Sequence, residues 1–554
     1  MVEDENKPEN NGSSDPYAGR WIARVGDQIV GQGNTREEAQ QAAKAARHKD
    51  KAEISFSSLS QGLKLGPVFT KLQALFSEKE EVYLIGGAVR DALLGKASHD
   101  LDFTVPKNAL KIARKTANKL EGAYYRLGDE HEIGRVVLTE ENGKRQILDF
   151  ADVRGPDLES DLRGRDFTIN AIALNIHKPD ELIDPLGGLV DLRTKRLKAC
   201  SPHSFTDDPV RILRAIRFAI FSKYAMDDET KQWMRAATDQ LPKVSAERVR
   251  DELFRILDGP QPATALRTLD MLGALQHVLP ELEKLKEVKQ SPPHIYDVWE
   301  HSLQTVQKLE KVLAALDGTY EEDTVRDLTM GEVVLRLGRY RQPITELVDQ
   351  TITPERSWRP SLYLAALYHD VGKPDKRSQD EDGRIRFISH ELRSADIITE
   401  RARALQLSNV EVKRLKTVVE NHMRPFNFAR TGKMPTRRSI YRYFRATGEA
   451  GVDVALLSIA DMLAIYGTTL PHDLLKDWIN VVRELLEAWF EQAEEKVLPP
   501  ALVDGDDLMR VFELEPGPQI GQLLEAIREA QAAGEVEDKK GALDLARQMI
   551  EESQ

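Results

Sequence analysis

Two aspartates two residues apart, Asp100 and Asp102, follow a paired glycine, Gly86-Gly87, that leads into Arg90. Residues at that spacing on a strand project to one face, so both carboxylates can share divalent cations. A glycine turn brings backbone N–H groups close to phosphate oxygens, and an arginine offers its planar donor fork to the same charge. This is the equipment for moving a nucleotide from a triphosphate to a hydroxyl. Hard oxygen donors suit Mg²⁺ better than zinc. Asp149 is a candidate third carboxylate on an adjacent strand.

Such side chains need a sheet to hold them. Val82–Ile85, Asp100–Val105, Ala123–Arg126, Gly134–Thr139 and Arg145–Phe150 read as strands, and Asn108–Leu120 and Phe167–Asn175 as helices. Residues 60–200 are therefore expected to form a mixed catalytic head. From about 205 onward, apolar residues recur at helical spacing through Ile212–Phe221, Val249–Leu257, Ala263–Leu275 and Val298–Leu316. Ahead of the head, 20–57 reads as a small ββαβ module with a hairpin at Gly26-Asp27 and a helix capped by Asn34 or Thr35. The polar, acidic 1–19 reads as a disordered tail. The fold class is α+β.

Length excludes a single core: 554 residues imply three or more domains. Cys200 is the sole cysteine, which rules out an internal disulfide and fits a reducing, cytoplasmic setting. No apolar run is expected to approach the ~20 residues needed to span a bilayer. The net charge of −13 argues against broad nucleic-acid affinity. One stretch, Arg424–Arg445, does carry arginines among Phe426, Phe428, Tyr441, Tyr443 and Phe444 without an acidic residue, and is a candidate RNA-facing surface.

Further motifs accumulate in order: Asp149-Phe150-Ala151-Asp152, Arg165-Asp166-Phe167-Thr168-Ile169-Asn170, Asp184-Pro185-Leu186-Gly187-Gly188, and Asp207-Asp208-Pro209-Val210-Arg211 with Arg214 and Arg217. With the glycine turn and the aspartate pair, this set resembles the class II tRNA nucleotidyltransferase and poly(A) polymerase family, which are polymerase-β-like nucleotidyltransferases. The resemblance implies such a head on a helical neck, with Asp100 and Asp102 holding Mg²⁺. It also implies that Arg165, Asp166 and Asn170 help hold sugar and phosphates, while Arg214 continues the nucleotide-binding face. Gly164 stands where many members have a second arginine, and Asp207 where glutamate is usual. Asp208 and Arg211, three apart on a predicted helix, pair an acceptor with a donor. That pattern matches the base edges of cytosine and adenine and opposes those of uracil and guanine. In the resembling family, matching residues select the base.

A second constellation comprises His301, His369-Asp370-Val371-Gly372-Lys373, His390, His422 and Asp461. It resembles the HD superfamily of metal-dependent phosphohydrolases. The resemblance implies a divalent transition metal such as Ni²⁺, Mn²⁺ or Co²⁺ on those six histidines and aspartates. The resulting division is a head (60–200), a neck and base-recognition region (201–285), an HD domain (290–470) and a helical body (471–554). The insert 317–359 has no assigned role. The function expected is template-independent addition of CCA, or part of it, to the tRNA 3′ end from CTP and ATP, with no membrane partner. Addition of A alone, of CC alone, or of a poly(A) tail are alternatives. An HD phosphohydrolase with a non-catalytic nucleotide- or RNA-binding head is the alternative of another class.

Overall fold

The computed structural model describes residues 20–552 except 27, 34–35, 47–50, 58–62, 64, 128–131, 140–142, 180, 319–327, 354–355 and 431–432. The predicted tail 1–19, Asp27 of the hairpin and the Asn34/Thr35 cap lie outside the described residues. The chain divides into two compact units. One runs to Arg211 and includes Ser222–Ala237; the other takes Ile212–Phe221 and everything from Thr238.

The first unit opens with β1 (Arg20–Val25), β2 (Gln28–Gly33), α1 (Arg36–Ala45) and β3 (Glu53–Ser57), whose strands pair antiparallel in the order β2-β1-β3. Then come α2 (Gly66–Leu75), β4 (Tyr83–Ile85), α3 (Gly87–Leu93), β5 (Asp100–Val105), α4 (Ala109–Leu120), β6 (Ala123–Leu127), β7 (Ile133–Thr139), β8 (Arg145–Asp152) and α5 (Leu158–Arg163). β9 (Ala173–Asn175) and β10 (Leu182–Ile183) complete a mixed sheet of order β10-β9-β4-β5-β8-β7-β6. Its one parallel pair is β5 with β8; the crossover between them carries α4 and the hairpin β6–β7.

Alternation along these strands sorts the chemistry from the core. Leu101, Phe103 and Val105 of β5 and Leu148 and Phe150 of β8 are buried with Val136 of β7. They pack with Ala109, Ala113 and Ala117 of α4 and with Val68, Phe69 and Leu72 of α2. Phe103 and Phe150 stack with ring centroids 5.0 Å apart. The intervening residues, Asp100 and Asp102, are forced to the exposed face.

Three predicted elements differ. Phe167–Asn175 is not a helix: a single 3₁₀ turn, Thr168–Asn170, leads into strand β9. Ile172 and Leu174 are drawn into the sheet core, which overrides the local helical pattern. Asp208 and Arg211 do not share a helix. Asp208 is extended after the short helix Ser204–Asp207, and the next helix is Arg211–Phe221; Pro209 disfavours helical backbone at the residue before it. The segment read as Ala263–Leu275 breaks after Met271, where Gly273 takes a positive φ.

The second unit is almost wholly helical, with small hairpins at Thr351–Ser357 and Arg377–Phe387. The described part of the 317–359 insert holds helices Leu328–Leu337 and Arg341–Val348. One expectation fails here. Ala450–Thr469 is long and apolar enough to cross a membrane by composition, with 89% of its most apolar window buried. It is a core helix, and Asp453 and Asp461 on it hid the run from a reading by uninterrupted apolar residues.

The Arg424–Arg445 stretch has partners within the fold. Phe426 packs on Trp478, Phe428 on Tyr443 and Phe444 on Trp489. Arg438 and Arg442 pair with Glu529, Arg445 with Glu525, and Arg438 also reaches Glu535. Tyr441, Tyr443 and Phe444 are buried and Phe426 and Phe428 half-buried, and Arg438, Arg442 and Arg445 pair with the acidic side of helix Pro518–Ala533 while staying exposed.

One motif glycine is explained by close approach. A Cβ on Gly188 would lie 2.0 Å from the Thr168 carbonyl oxygen. Asp184 accepts hydrogen bonds from the N–H groups of Gly188 and Leu189 at 2.7 and 2.9 Å, and Thr168 donates its hydroxyl to Asp191 at 2.7 Å. The Asp184–Gly188 run therefore anchors the 168–170 turn. Gly188→Ala should displace that turn and lower stability by about 1–3 kcal/mol, read as a drop in the denaturant midpoint of the head.

Candidate functional site

In the head, a single row of register partners crosses the sheet. Ile85 faces Asp102, Asp102 faces Asp149, Asp149 faces Arg135, and Arg135 faces Tyr125. Directly paired residues share a face, so the carboxylates of Asp102 and Asp149 stand side by side, with Asp100 one turn of the pleat away. Asp149 is engaged: Arg135 donates to it through Nε and Nη2 at 2.9 and 2.8 Å. The Arg135 guanidinium is raised above its ordinary value, first by that pairing and also by the charges of Asp100 and Asp102.

The glycine turn stands at the other end of the row. Gly86 has φ 72°, in the left-handed region that glycine adopts without a Cβ penalty. A Cβ there would lie 3.3 Å from Arg165 Nη1 and 3.8 Å from Asp102 Oδ2. Thus the turn, the arginine and the aspartate line one notch. Gly87 faces Arg90, whose Nη2 lies 3.5 Å from the place of its missing Cβ. Arg90 donates to Asn170 Oδ1 at 2.7 Å and to Asp91 at 2.9 Å. Asn170 Nδ2 donates to Asp166 Oδ1 at 3.0 Å, and that oxygen also accepts the Phe167 N–H at 2.8 Å. Arg165 Nη2 donates to the buried Asp161 at 3.1 Å, and its Nε is buried without a hydrogen-bond partner.

Gly86, Gly87, Arg90, Asp100, Asp102, Arg165, Asp166 and Asn170 are therefore gathered on and beside one face. Asp208 and Arg211 meet at 3.7 Å. Arg211 also donates to the carbonyls of Arg165 and Ser204 at 3.2 Å each and of Gly164 at 3.1 Å. It thus braces the very segment where the sequence has glycine in place of a second arginine. Arg214 lies on helix Arg211–Phe221.

The six HD-type residues converge in the second unit. His301 lies on helix Val298–Asp317, His369 follows Arg359–Tyr368, His390 opens His390–Ala404, His422 follows Asn409–Asn421, and Asp461 lies on Ala450–Tyr466. His301 Nε2 is 3.4 Å from Asp370 Oδ2, 3.1 Å from Asp461 Oδ1 and 3.3 Å from His369 Nε2. His369 Nε2 is 3.2 Å from Asp370 Oδ2, and His390 Nε2 is 3.0 Å from Asp370 Oδ1.

The tautomers suit metal ligation. Nδ1 of His369, His390 and His422 lies 2.7, 2.8 and 2.7 Å from the carbonyls of Ala366, Phe387 and Val419. Donation from Nδ1 leaves each Nε2 with its lone pair aimed inward. Ala366 and Val419 lie in the last turns of their helices, where carbonyls lack helical partners. His422 Nε2 is buried without a hydrogen-bond partner. Burial pushes His422 down to about 3, so its imidazole is neutral. Burial alone would raise Asp370, but His369 and Lys373 hold it well below the usual carboxylate range. Burial likewise opposes charge on His369, yet the adjacent Asp370 raises it. Inward-facing imidazole nitrogens beside the Asp370 carboxylate, at a spot that favours positive charge, can hold divalent cations.

Sequence reading missed several partners. Lys373 Nζ is 2.5 Å from Asp370 Oδ2 and 2.6 Å from Gln290 Oε1. His294 packs edge-on to His301, with ring centroids 5.5 Å apart. Lys373 was in plain view three residues after Asp370; His294, Arg135 and Asp161 carry no spacing signal.

Comparison with known proteins matches the segments that carry both clusters to known domains. The chain matches the Poly A polymerase head domain over 82–198, the "Probable RNA and SrmB- binding site of polymerase A" over 223–286, the HD domain over 298–464, and tRNA nucleotidyltransferase domain 2 over 485–546. It is 33% identical over 478 residues to the A-adding tRNA nucleotidyltransferase of Deinococcus radiodurans, covering 85% of this chain and 96% of the relative. It is 28% identical over 460 residues to the CC-adding tRNA nucleotidyltransferase of Geobacter sulfurreducens, covering 83% and 90%. Among solved structures, a CCA-adding enzyme complexed with ATP superposes with a TM-score of 0.58 at 20% identity, covering 88% of this chain and 95% of that one. The Thermotoga maritima CCA-adding enzyme complexed with tRNA gives 0.54 at 20% identity, covering 88% and 97%. With its polar sheet face, glycine notch and HD cage arranged in this order along the sequence, the chain belongs to the tRNA nucleotidyltransferase family.

Proposed function

We propose that this chain adds CCA, or part of it, to the 3′ end of tRNA from CTP and ATP. The observation that carries the reading is the notch in which Asp102, Gly86 and Arg165 meet. Addition of the terminal A alone is a second reading, favoured by the higher identity to the A-adding relative, 33% against 28%. A cytoplasmic setting goes with a tRNA substrate.

Asp100 and Asp102 are the proposed holders of Mg²⁺. That cation would supply charge neutralisation for the departing pyrophosphate and a lower pKa for the attacking hydroxyl. The Gly86-Gly87 turn and Arg165 would cradle the triphosphate. Arg90, tied to Asn170, and Asn170, tied to Asp166, would keep the sugar-side polar groups in fixed orientation. The RNA 3′ oxygen then bonds to the α-phosphorus as the bond to pyrophosphate breaks. Asp208 and Arg211 would read the base edge. For Arg211 this means exchanging a carbonyl bond for a base contact, and for Asp208 accepting the exocyclic amino group that cytosine and adenine both present.

In the HD cage, His301, His369, Asp370, His390, His422 and Asp461 would hold Ni²⁺, Mn²⁺ or Co²⁺ for hydrolysis of phosphomonoesters or 2′,3′-cyclic phosphates. The inward Nε2 atoms and the low Asp370 carboxyl support this reading.

Three outcomes check it. Given tRNAs ending before CCA, after C and after CC, the protein with Mg²⁺ should extend them with C and A only, and Asp102→Ala should slow every extension by a factor on the order of 10³ or more. Asp208→Ala should narrow the preference for CTP and ATP over UTP and GTP roughly tenfold, measured as kcat/KM for each nucleotide. His369→Ala should lose bound transition metal, measured by elemental analysis, together with hydrolysis of a cyclic phosphodiester.

A further inference from the structure

The row across the sheet has two ends, and the nucleotide reading uses only one. The groups assigned to the triphosphate and sugar of the incoming nucleotide lie toward β4 and β9: Gly86, Gly87, Arg90, Arg165 and Asn170. On the other side of Asp102 come Asp149, Arg135 and Tyr125, on β8, β7 and β6. In nucleotidyl transfer the attacking oxygen and the departing pyrophosphate stand on opposite sides of the α-phosphorus. A triphosphate placed over the glycine turn therefore leaves the β8–β7–β6 side for the RNA.

That side is furnished for it. Tyr125 is 53% exposed on the outermost strand, unusual for a large aromatic residue with no core role. Arg135 sits between Tyr125 and the carboxylates. Its Nε and Nη2 are spent on Asp149, while Nη1 carries no hydrogen bond among the described residues. Strand spacing alone puts Arg135 about 10 Å and Tyr125 about 14 Å from Asp102. An arginine held rigidly by a carboxylate, followed by an exposed ring, is the pairing that grips single-stranded nucleic acid: phosphate first, then a stacked base.

We propose that Arg135 binds a phosphate near the RNA 3′ end, that Tyr125 stacks on a base behind it, and that Asp149, the candidate third carboxylate, also holds Arg135 in place. This rests on the nucleotidyltransferase reading and adds to it the track by which the acceptor strand reaches the aspartates.

The test is steady-state kinetics of the full-length protein on a tRNA lacking its 3′ terminus, with wild-type extension as the prior condition. If the wild type extends no tRNA, the nucleotidyltransferase reading itself has failed. If it does, Arg135→Gln should raise the KM for tRNA about tenfold, leave the KM for ATP and CTP within twofold, and reduce the salt slope of tRNA binding by about one. Tyr125→Ala should raise the KM for tRNA similarly, and Tyr125→Trp should restore it, because stacking needs a ring and not a hydroxyl. Asp149→Asn should shift the KM for tRNA in the same direction as Arg135→Gln. A rise in the KM for nucleotide instead of tRNA would move Arg135 to the triphosphate and overturn the proposal. An unchanged KM for tRNA in Arg135→Gln, or no recovery in Tyr125→Trp, would also overturn it.

Discussion

The parallel pairing of β5 with β8 is the constraint on which the head depends. It is locked from beneath by the stacked rings of Phe103 and Phe150 and by the small alanines of α4 that let a helix lie close. Strand alternation makes that burial and the exposure of the acids two sides of one arrangement. A slip of a single residue would bury Asp100 and Asp102 and expose the phenylalanines. Register is therefore fixed by hydrophobic packing, and the electrostatics of the acidic face follow from it. The like charges of Asp100, Asp102 and Asp149 crowd together only because the core beneath holds them there, with Arg135 offsetting part of the repulsion.

Much of this was legible in the sequence, and the reason is the period of the signal. β5 and β8 alternate cleanly, and the glycine pair and aspartate pair sit at the ends of short strands, so their shared face could be read from spacing. The second centre was legible through its histidines and aspartates, whose chemistry is rare enough to be noticed at any separation. The Phe167–Asn175 segment was misread because its apolar residues serve a buried strand, whose unbroken apolar run imitates a helix over a short window. Asp208 falls outside the helix because Pro209 disfavours helical backbone before it and the helix starts only at Arg211. The arginine-aromatic stretch hid its partners because composition cannot tell which charge another will meet: the glutamate paired with Arg445 is 80 residues downstream. Arg135 was invisible because sheet register is a three-dimensional fact.

The HD cage illustrates a different economy. Helix ends leave carbonyls without partners, and histidines placed at those ends satisfy them with Nδ1. One hydrogen bond therefore completes a helix terminus and chooses the tautomer of a cage histidine. The cage needs no separate set of orienting carboxylates for these imidazoles, and its geometry is as stiff as the helices that carry it.

Helix Ala450–Tyr466 carries two acids in an otherwise apolar, buried segment: Asp461 in the cage, and Asp453 held by Arg414 at 2.7 Å. Asp461, deep in such a segment, adds about 2.5–3.5 kcal/mol to the work of threading it into lipid, while Asp453, in the first turn, adds less. Side chains that serve the cage and an interior ion pair thus also mark the newly made polypeptide, before its covering helices close over it, as a poor passenger for the insertion machinery.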